Sequence, residues 1–174
     1  SSQFMTHLST SVYLALLLAS PFILIELFRF ITPALYDNER KYSARITCTI
    51  FLLFITGVLM SYFVIFPFSI RFLGTYQVSE DVVNMINLSS YISTFTALTF
   101  MMGIVFQIPV ISFFLAKMGI LEAEFMAKYR RHALIIIMIL AAIITPPDIF
   151  TLVLVTIPMY ALYELSILIV KRIN

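Results

Sequence analysis

Five stretches of the sequence, residues 8–30, 46–66, 90–116, 132–145 and 149–170, are almost unbroken runs of apolar residues. A helix needs roughly 17–25 such residues to cross about 30 Å of hydrocarbon. Lipid offers a backbone no hydrogen-bond partners, so each run must satisfy its own N–H and C=O groups, and a helix does this within one segment. The expected fold class is therefore all-α, a polytopic transmembrane helical bundle forming a single domain over residues 1–174. Composition agrees: 61% of residues are hydrophobic and 11% charged, whereas about a quarter are charged in soluble domains. The apolar mass comes from Phe, Leu and Ile, with 17 Phe and no Trp, which suits lipid-facing helices.

Basic residues mark the side that stays in the cytoplasm. Arg29, Arg40, Lys41 and Arg45 flank a connection at about 31–45, while Lys117, Lys128, Arg130 and Arg131 belong to a second at about 117–131. Lys171 and Arg172 end the chain, and of the 11 basic residues only Arg71 falls on the other side, in an external loop at about 67–89. The carboxyl terminus is thus expected in the cytoplasm. Five spans with that end inside would place Ser1 outside, and the sequence opens Ser1-Ser2-Gln3 without Met. A further span upstream would return both ends to the cytoplasm, so the expectation is five spans present of a total of six.

The fourth run is short. Residues 132–145 make about 21 Å of helix at roughly 1.5 Å per residue, less than the hydrocarbon thickness of about 30 Å. Starting that span at 129 brings basic residues to headgroup depth and still leaves local thinning of the bilayer expected. Pro21, Pro109 and Pro158 fall inside apolar runs, where each removes a backbone donor and favours a bend. Bent helices would line a concave, glove-like wall, or the bends merely suit packing. In the external loop, Val82, Val83 and Ile86 follow Ser79-Glu80-Asp81, a pattern for a short interfacial helix.

Several chemistries are excluded. Cys48 is the sole cysteine, so it cannot form an intramolecular disulfide and is read as a packing residue. His7 and His132 lie on opposite expected sides, no zinc or nucleophile-elbow motif occurs, and no Gly-x-x-x-x-Gly-Lys loop offers a nucleotide cradle. No enzyme activity, metal or cofactor is expected. A net charge of +2 with no long basic run argues against a nucleic-acid partner.

The segment Phe30-Ile31-Thr32-Pro33-Ala34-Leu35-Tyr36-Asp37-Asn38-Glu39-Arg40 resembles the cytoplasmic loop between the second and third helices of TatC, the signal-peptide receptor family of the twin-arginine protein translocase. Phe66-Pro67-Phe68, Met118-Gly119-Ile120, Thr145-Pro146-Pro147-Asp148 and Ile157-Pro158-Met159-Tyr160 follow in the family's order and spacing. The resemblance covers essentially all 174 residues and lacks only the family's first helix and the acidic element of its amino-terminal tail.

The resemblance implies a membrane-embedded receptor and scaffold, in the bacterial inner membrane, that uses the proton-motive force to export folded proteins. Its implied partners are twin-arginine signal peptides, single-span TatA/TatB-type subunits, membrane lipid and further copies of itself. Signal-peptide binding would fall on Phe30 and Glu39. A carboxylate takes a guanidinium through two parallel hydrogen bonds, which Lys cannot reproduce, and an aromatic face attracts a cation. Read without the resemblance, Glu39 is a solvated ion-pair partner of Arg40, Lys41 or Arg45. Gln107 stands where the family often carries a glutamate thought to meet a partner helix; the alternative is a polar link between helices of this chain. Asp148 matches a position implicated in translocation, and as a residue preceding a helix it also suits an N-cap.

Glu26, Gln107 and Glu164 are the notable polar residues within the apolar runs. Such groups are costly in lipid and mark either function or a polar partner. Glu26 has Arg29 three residues on as a partner along the same helix, and Glu164 is expected near the cytoplasmic headgroups. A different function class, a secondary transporter for a small solute, would use these three as one buried polar site. It would also show repeated halves with broken helices, and no convincing repeat is present.

Overall fold

The computed structural model describes residues 2–31, 39–75, 88–145 and 148–173, with backbone alone at 2–3, 6, 31, 39–43, 73–74 and 88–91. Helix α1 (Ser2–Ile31) is followed by α2 (Glu39–Met60), a π-helical segment (Ser61–Ile65) and α3 (Phe66–Thr75), which together form one long rod. Then come α4 (Leu88–Val105), α5 (Ile108–Lys117), the short α6 (Ala123–Lys128), α7 (Arg130–Ile144) and α8 (Ile149–Lys171).

Four stretches are long and apolar enough to cross a bilayer: His7–Phe30, Ala44–Phe72, Ile92–Lys117 and Ile149–Lys171. The remaining expected span, the fourth along the chain, is α7, whose 15 residues make only about 22 Å of helix. It presents Ile135, Ile136, Ile139 and Ile143 outward and buries Ile137 and Ala141. The second rod outruns the end expected at 66, since α3 carries it to Thr75. Ile65, Phe66 and Ser69 are buried there, and the Ser69 hydroxyl donates to the Ile65 carbonyl. The interfacial helix expected around 82–87 lies outside the described residues.

Two prolines account for the irregular turns. Pro67 has no N–H, and in a regular helix its ring would press on the carbonyl four residues back. The rod widens just before it into the π turn, with the Phe66 N–H bonded to Ser61 O. Before Pro109 the helix is interrupted instead by a tighter turn between α4 and α5, formed by Phe106 and Gln107. There the Gln107 N–H donates to Ile104 O at 2.9 Å, three residues back rather than four. Pro21 and Pro158 are accommodated inside α1 and α8.

The contact between α2 and α4 organises the bundle. A Cβ on Gly57 would stand 2.6 Å from the Met102 carbonyl oxygen, and one on Gly103 would overlap the Phe54 ring. The helices thus approach to backbone distance at Gly57, and at Gly103 a ring lies where only hydrogen fits. Beside them the Ser61 and Thr99 hydroxyls share a buried hydrogen bond of 3.1 Å. Small residues and interhelical hydrogen bonds are what hold helices together where lipid is as apolar as the core. Around this crossing pack Ile65, Leu98, Met102, Val155 and Met159, all fully buried. Helix α8 lies against α5 and α7, while α1 rests on α2 and α4, and its Phe28, Leu24 and Ile25 pack with Ile50 of α2 and Val110 and Phe114 of α5.

Overpacking of this kind costs roughly 1–3 kcal/mol. Gly57→Val is expected to lower the unfolding free energy in detergent by about that amount or more, because the obstructing atoms are backbone. Gly57→Ser should fall between wild type and Val, and wild-type stability in the Val variant would refute the close crossing.

Candidate functional site

The polar residues singled out by sequence sit at three levels of the bundle. At the first, α1 ends beside the start of α2. Phe28 is buried and stacks on Phe114 with centroids 5.3 Å apart and planes 14° from parallel. A residue two positions on points to the other side of a helix, since each step turns it by about 100°. Phe30 accordingly stands 87% exposed, and Glu26 and Arg29 form an exposed ion pair at 2.9 Å. Helix α2 begins at Glu39 and packs on α1 through Ile46 and Ile50. Phe30 and the start of α2 therefore share one end of the bundle. The side chain of Glu39 and residues 32–38 lie outside the described residues, as does Asp37.

The same end collects the basic residues that start α7. Arg130 at the start of α7 pairs with Glu164 of α8 at 2.9 Å, and the Tyr160 hydroxyl donates to the Glu164 carboxylate about one turn further along α8 at 2.9 Å. The Tyr163 hydroxyl donates to the Met126 carbonyl at 2.8 Å, tying α6 to α8. Spacing along α8 makes the Tyr160–Glu164 contact readable, because residues four apart are neighbours on a helix. Nothing in the sequence pointed to Arg130, which is 34 positions away. Exposed Glu122 and Glu124 lie on the connection into α6 and in its first turn.

At the second level, inside the bundle, Gln107 occupies the α4–α5 break and is 1% exposed. Its Nε2 donates to Ile50 O of α2 at 3.2 Å and lies 3.5 Å from Gly103 O. Its Oε1 is buried with no hydrogen-bond partner among the described residues. The amide links α2 to α4 and uses its donor to do so. A carboxylate in the same place would set an oxygen against these carbonyls, so the neutral amide fits the site as built.

At the third level, the opposite end, Asp148 precedes α8 in an extended conformation and its carboxylate accepts from the Thr151 N–H at 2.6 Å. This is an N-cap. Close by, Phe72 of α3 stacks on Phe150 at 4.5 Å, which places Arg71 at this end, a helix length of about 34 Å from Arg172. Glu26, Gln107 and Glu164 are engaged by Arg29, Ile50 O and Arg130 respectively, three separate partners and not one polar pocket. Among the described residues no group of His, Cys, Asp and Glu is arranged to hold a metal ion.

Bilayer-length helices, a backbone-close crossing and polar groups gathered at the two ends define a multi-pass helical membrane protein. The model of the family described as Sec-independent protein translocase protein (TatC) matches residues 1–158, and the chain belongs to that family. It is 42% identical over 165 residues to the TatC protein of Blattabacterium sp. subsp. Periplaneta americana, covering 95% of this chain and 62% of that one. It is 38% identical over 158 residues to TatCy of Bacillus subtilis, covering 91% and 62%. The chain thus spans about three-fifths of the length of these relatives. A crystal structure of the twin-arginine translocase receptor TatC superposes with a TM-score of 0.84 at 32% identity, covering 97% of this chain and 75% of that one.

The two readings of Asp148 separate by substitution. Asp148→Ala removes the cap and is expected to cost about 0.5–2 kcal/mol of stability in detergent, whereas Asp148→Asn keeps a good capping side chain. Thermal unfolding of both variants checks this; equal losses in the two would show that the charge, and not the cap, matters for folding.

Proposed function

We propose that this chain forms the membrane core of a receptor and scaffold of the twin-arginine translocase. In this reading it binds twin-arginine signal peptides, recruits single-span TatA/TatB-type subunits, associates with further copies of itself and supports export of folded proteins driven by the proton-motive force. Its setting is the bacterial inner membrane, with the basic end and the carboxyl terminus in the cytoplasm. The role is one of binding and positioning rather than catalysis.

The observation that carries the reading is the end of α1. Phe28 is held in the core, so Phe30 projects outward at the end of the bundle where α2 begins with Glu39. A peptide running past this end would meet an aromatic surface and a carboxylate in succession. The carboxylate selects Arg over Lys through its paired hydrogen bonds, and the ring supports the neighbouring cation. Gln107 contributes indirectly, by setting the spacing of α2 and α4 beneath this end. Asp148 is assigned to the translocation-linked external end, where it also caps α8. The short α7, with Arg130 and Arg131 at its start, would thin the bilayer on its side of the bundle. The transporter alternative has no observation in its favour, because its three polar residues have separate partners.

The test is export of a reporter carrying a twin-arginine signal in cells that lack their own receptor and express the full-length protein. Glu39→Ala is expected to reduce export at least tenfold, the loss of roughly 1.4 kcal/mol or more, and to abolish the preference over a twin-lysine signal. Unchanged export with unchanged discrimination would remove Glu39 from the site.

A further inference from the structure

A cavity of about 620 Å³ lies at the basic end, bounded by the connection from α5 to α6, by α6 itself, by the start of α7 and by the end of α8. That size lies within the roughly 300–1,000 Å³ of ligand sites. Three charged side chains in its lining are not used by the fold. Exposed Glu122 precedes α6 without capping it, exposed Glu124 sits in the first turn of α6, and exposed Lys171 closes α8. Among the described residues none of these three side chains has an ion-pair or hydrogen-bond partner. The fourth charge in the lining, Arg130, is already held by Glu164 at 2.9 Å.

The rest of the lining is apolar. Ala123 and Ala127, four residues apart and so on one face of α6, leave room beside α8. On α8 Ile167 is buried, while Leu168 is exposed on a helix long and apolar enough to cross the bilayer. The cavity is therefore open toward lipid. Lys171 lies about one turn beyond Ile167 and Leu168, at the depth where α8 leaves the hydrocarbon. One cation and two carboxylates thus stand at the mouth, above an apolar wall that follows α8 into the membrane.

We propose that this cavity binds a zwitterionic phospholipid with a primary ammonium headgroup, a phosphatidylethanolamine. Its phosphate is held by Lys171, its ammonium by Glu122 and Glu124, and an acyl chain lies along Ile167 and Leu168. The charge complementarity selects this headgroup over its relatives. An ammonium has three N–H donors for the carboxylates, and such charge-assisted hydrogen bonds are the strong ones. The trimethylammonium of a choline lipid has no N–H to give. An anionic glycerol lipid satisfies Lys171 but brings its net negative charge beside two carboxylates with no cation to offset it. A basic peptide would take the carboxylates, meet Lys171 as a like charge and leave the apolar wall unused. Bound there, the lipid joins the connection between α5 and α6 to the end of α8. The site shares no residue with the recognition end at Phe30 and Glu39.

The test uses full-length protein purified in detergent and stripped of native lipid, titrated with dioleoyl phosphatidylethanolamine, phosphatidylcholine or phosphatidylglycerol and read by native mass spectrometry. The acyl chains are the same in all three, so only the headgroup is compared. One phosphatidylethanolamine is expected to be retained roughly tenfold more tightly than either of the others, the worth of one charge-assisted hydrogen bond. Glu122→Gln combined with Glu124→Gln should bring it down to the level of phosphatidylcholine while leaving phosphatidylcholine unchanged. Lys171→Gln should weaken both zwitterionic lipids roughly fivefold, as expected for one basic residue at a lipid surface. Lys171→Arg keeps the charge and should keep the binding, which separates lost affinity from lost folding. Equal retention of the three lipids by the wild type, or a preference that survives the double Gln substitution, overturns the proposal. Glycerophosphoethanolamine binding as tightly as the whole lipid overturns it too, by making the apolar wall irrelevant. A wild type that ignores the headgroup but loses a bound twin-arginine signal peptide on the double substitution would instead give the two carboxylates to a basic peptide.

Discussion

The approach of α2 to α4 is the constraint on which the remaining architecture depends. In lipid, burying an apolar side chain against another helix gains little over burying it against acyl chains, so association relies on close packing and polar links. Here both occur along one antiparallel seam. Ile50 O meets Gln107, the Phe54 ring covers Gly103, Gly57 faces the Met102 carbonyl, and Ser61 bonds to Thr99. Moving along α2 in one direction is moving along α4 in the other, with a contact at nearly every turn. Among the described residues of this seam, one buried acceptor is left over, Gln107 Oε1, at the end where α4 breaks.

From this seam the two helix irregularities direct the rest of the chain. The π turn before Pro67 lets the second rod continue past the crossing, and Phe72 then reaches Phe150 at the start of α8. The break at Gln107 and Pro109 releases α5 from α4 and lays it along α8. Helix α5 stops at Lys117, where Gly119 adopts a positive φ of 71° and the Ile120 N–H turns back to Leu115 O, a glycine-dependent helix ending. The chain can then pass through α6 into α7. As a result the ends of α1, α5 and α8 and the beginnings of α2 and α7 gather at one side, and nearly all the basic residues go with them.

Much of this was legible in the sequence because it is local. Apolar run length marked the helices, and the distribution of Lys and Arg separated Arg71 from the rest. Spacing along one helix paired Glu26 with Arg29, and the residue before α8 was readable as a cap at Asp148. What escaped depends on which faces meet. Gly57 and Gly103 look like two glycines in apolar runs until Met102 and Phe54 are laid over them. Gln107 was readable as a polar link, but its partner is a backbone carbonyl of another helix, which no side-chain pattern reports. Glu164 pairs with Arg130, not with the basic residues that follow it in the chain. The second rod also outran its apolar run, since α3 tolerates Pro67 by widening the turn before it.

The central claim is that recognition belongs to the end of the bundle where α1 gives way to α2. It is tested most directly by placing a photoreactive phenylalanine analogue at Phe30 of the full-length protein in its membrane, and separately at exposed Ile149 of the opposite end. The account predicts that a twin-arginine precursor is labelled from position 30, that a twin-lysine precursor is not, and that position 149 labels neither before transport begins. Labelling from 149 without labelling from 30, or equal labelling of both precursors from 30, would contradict it.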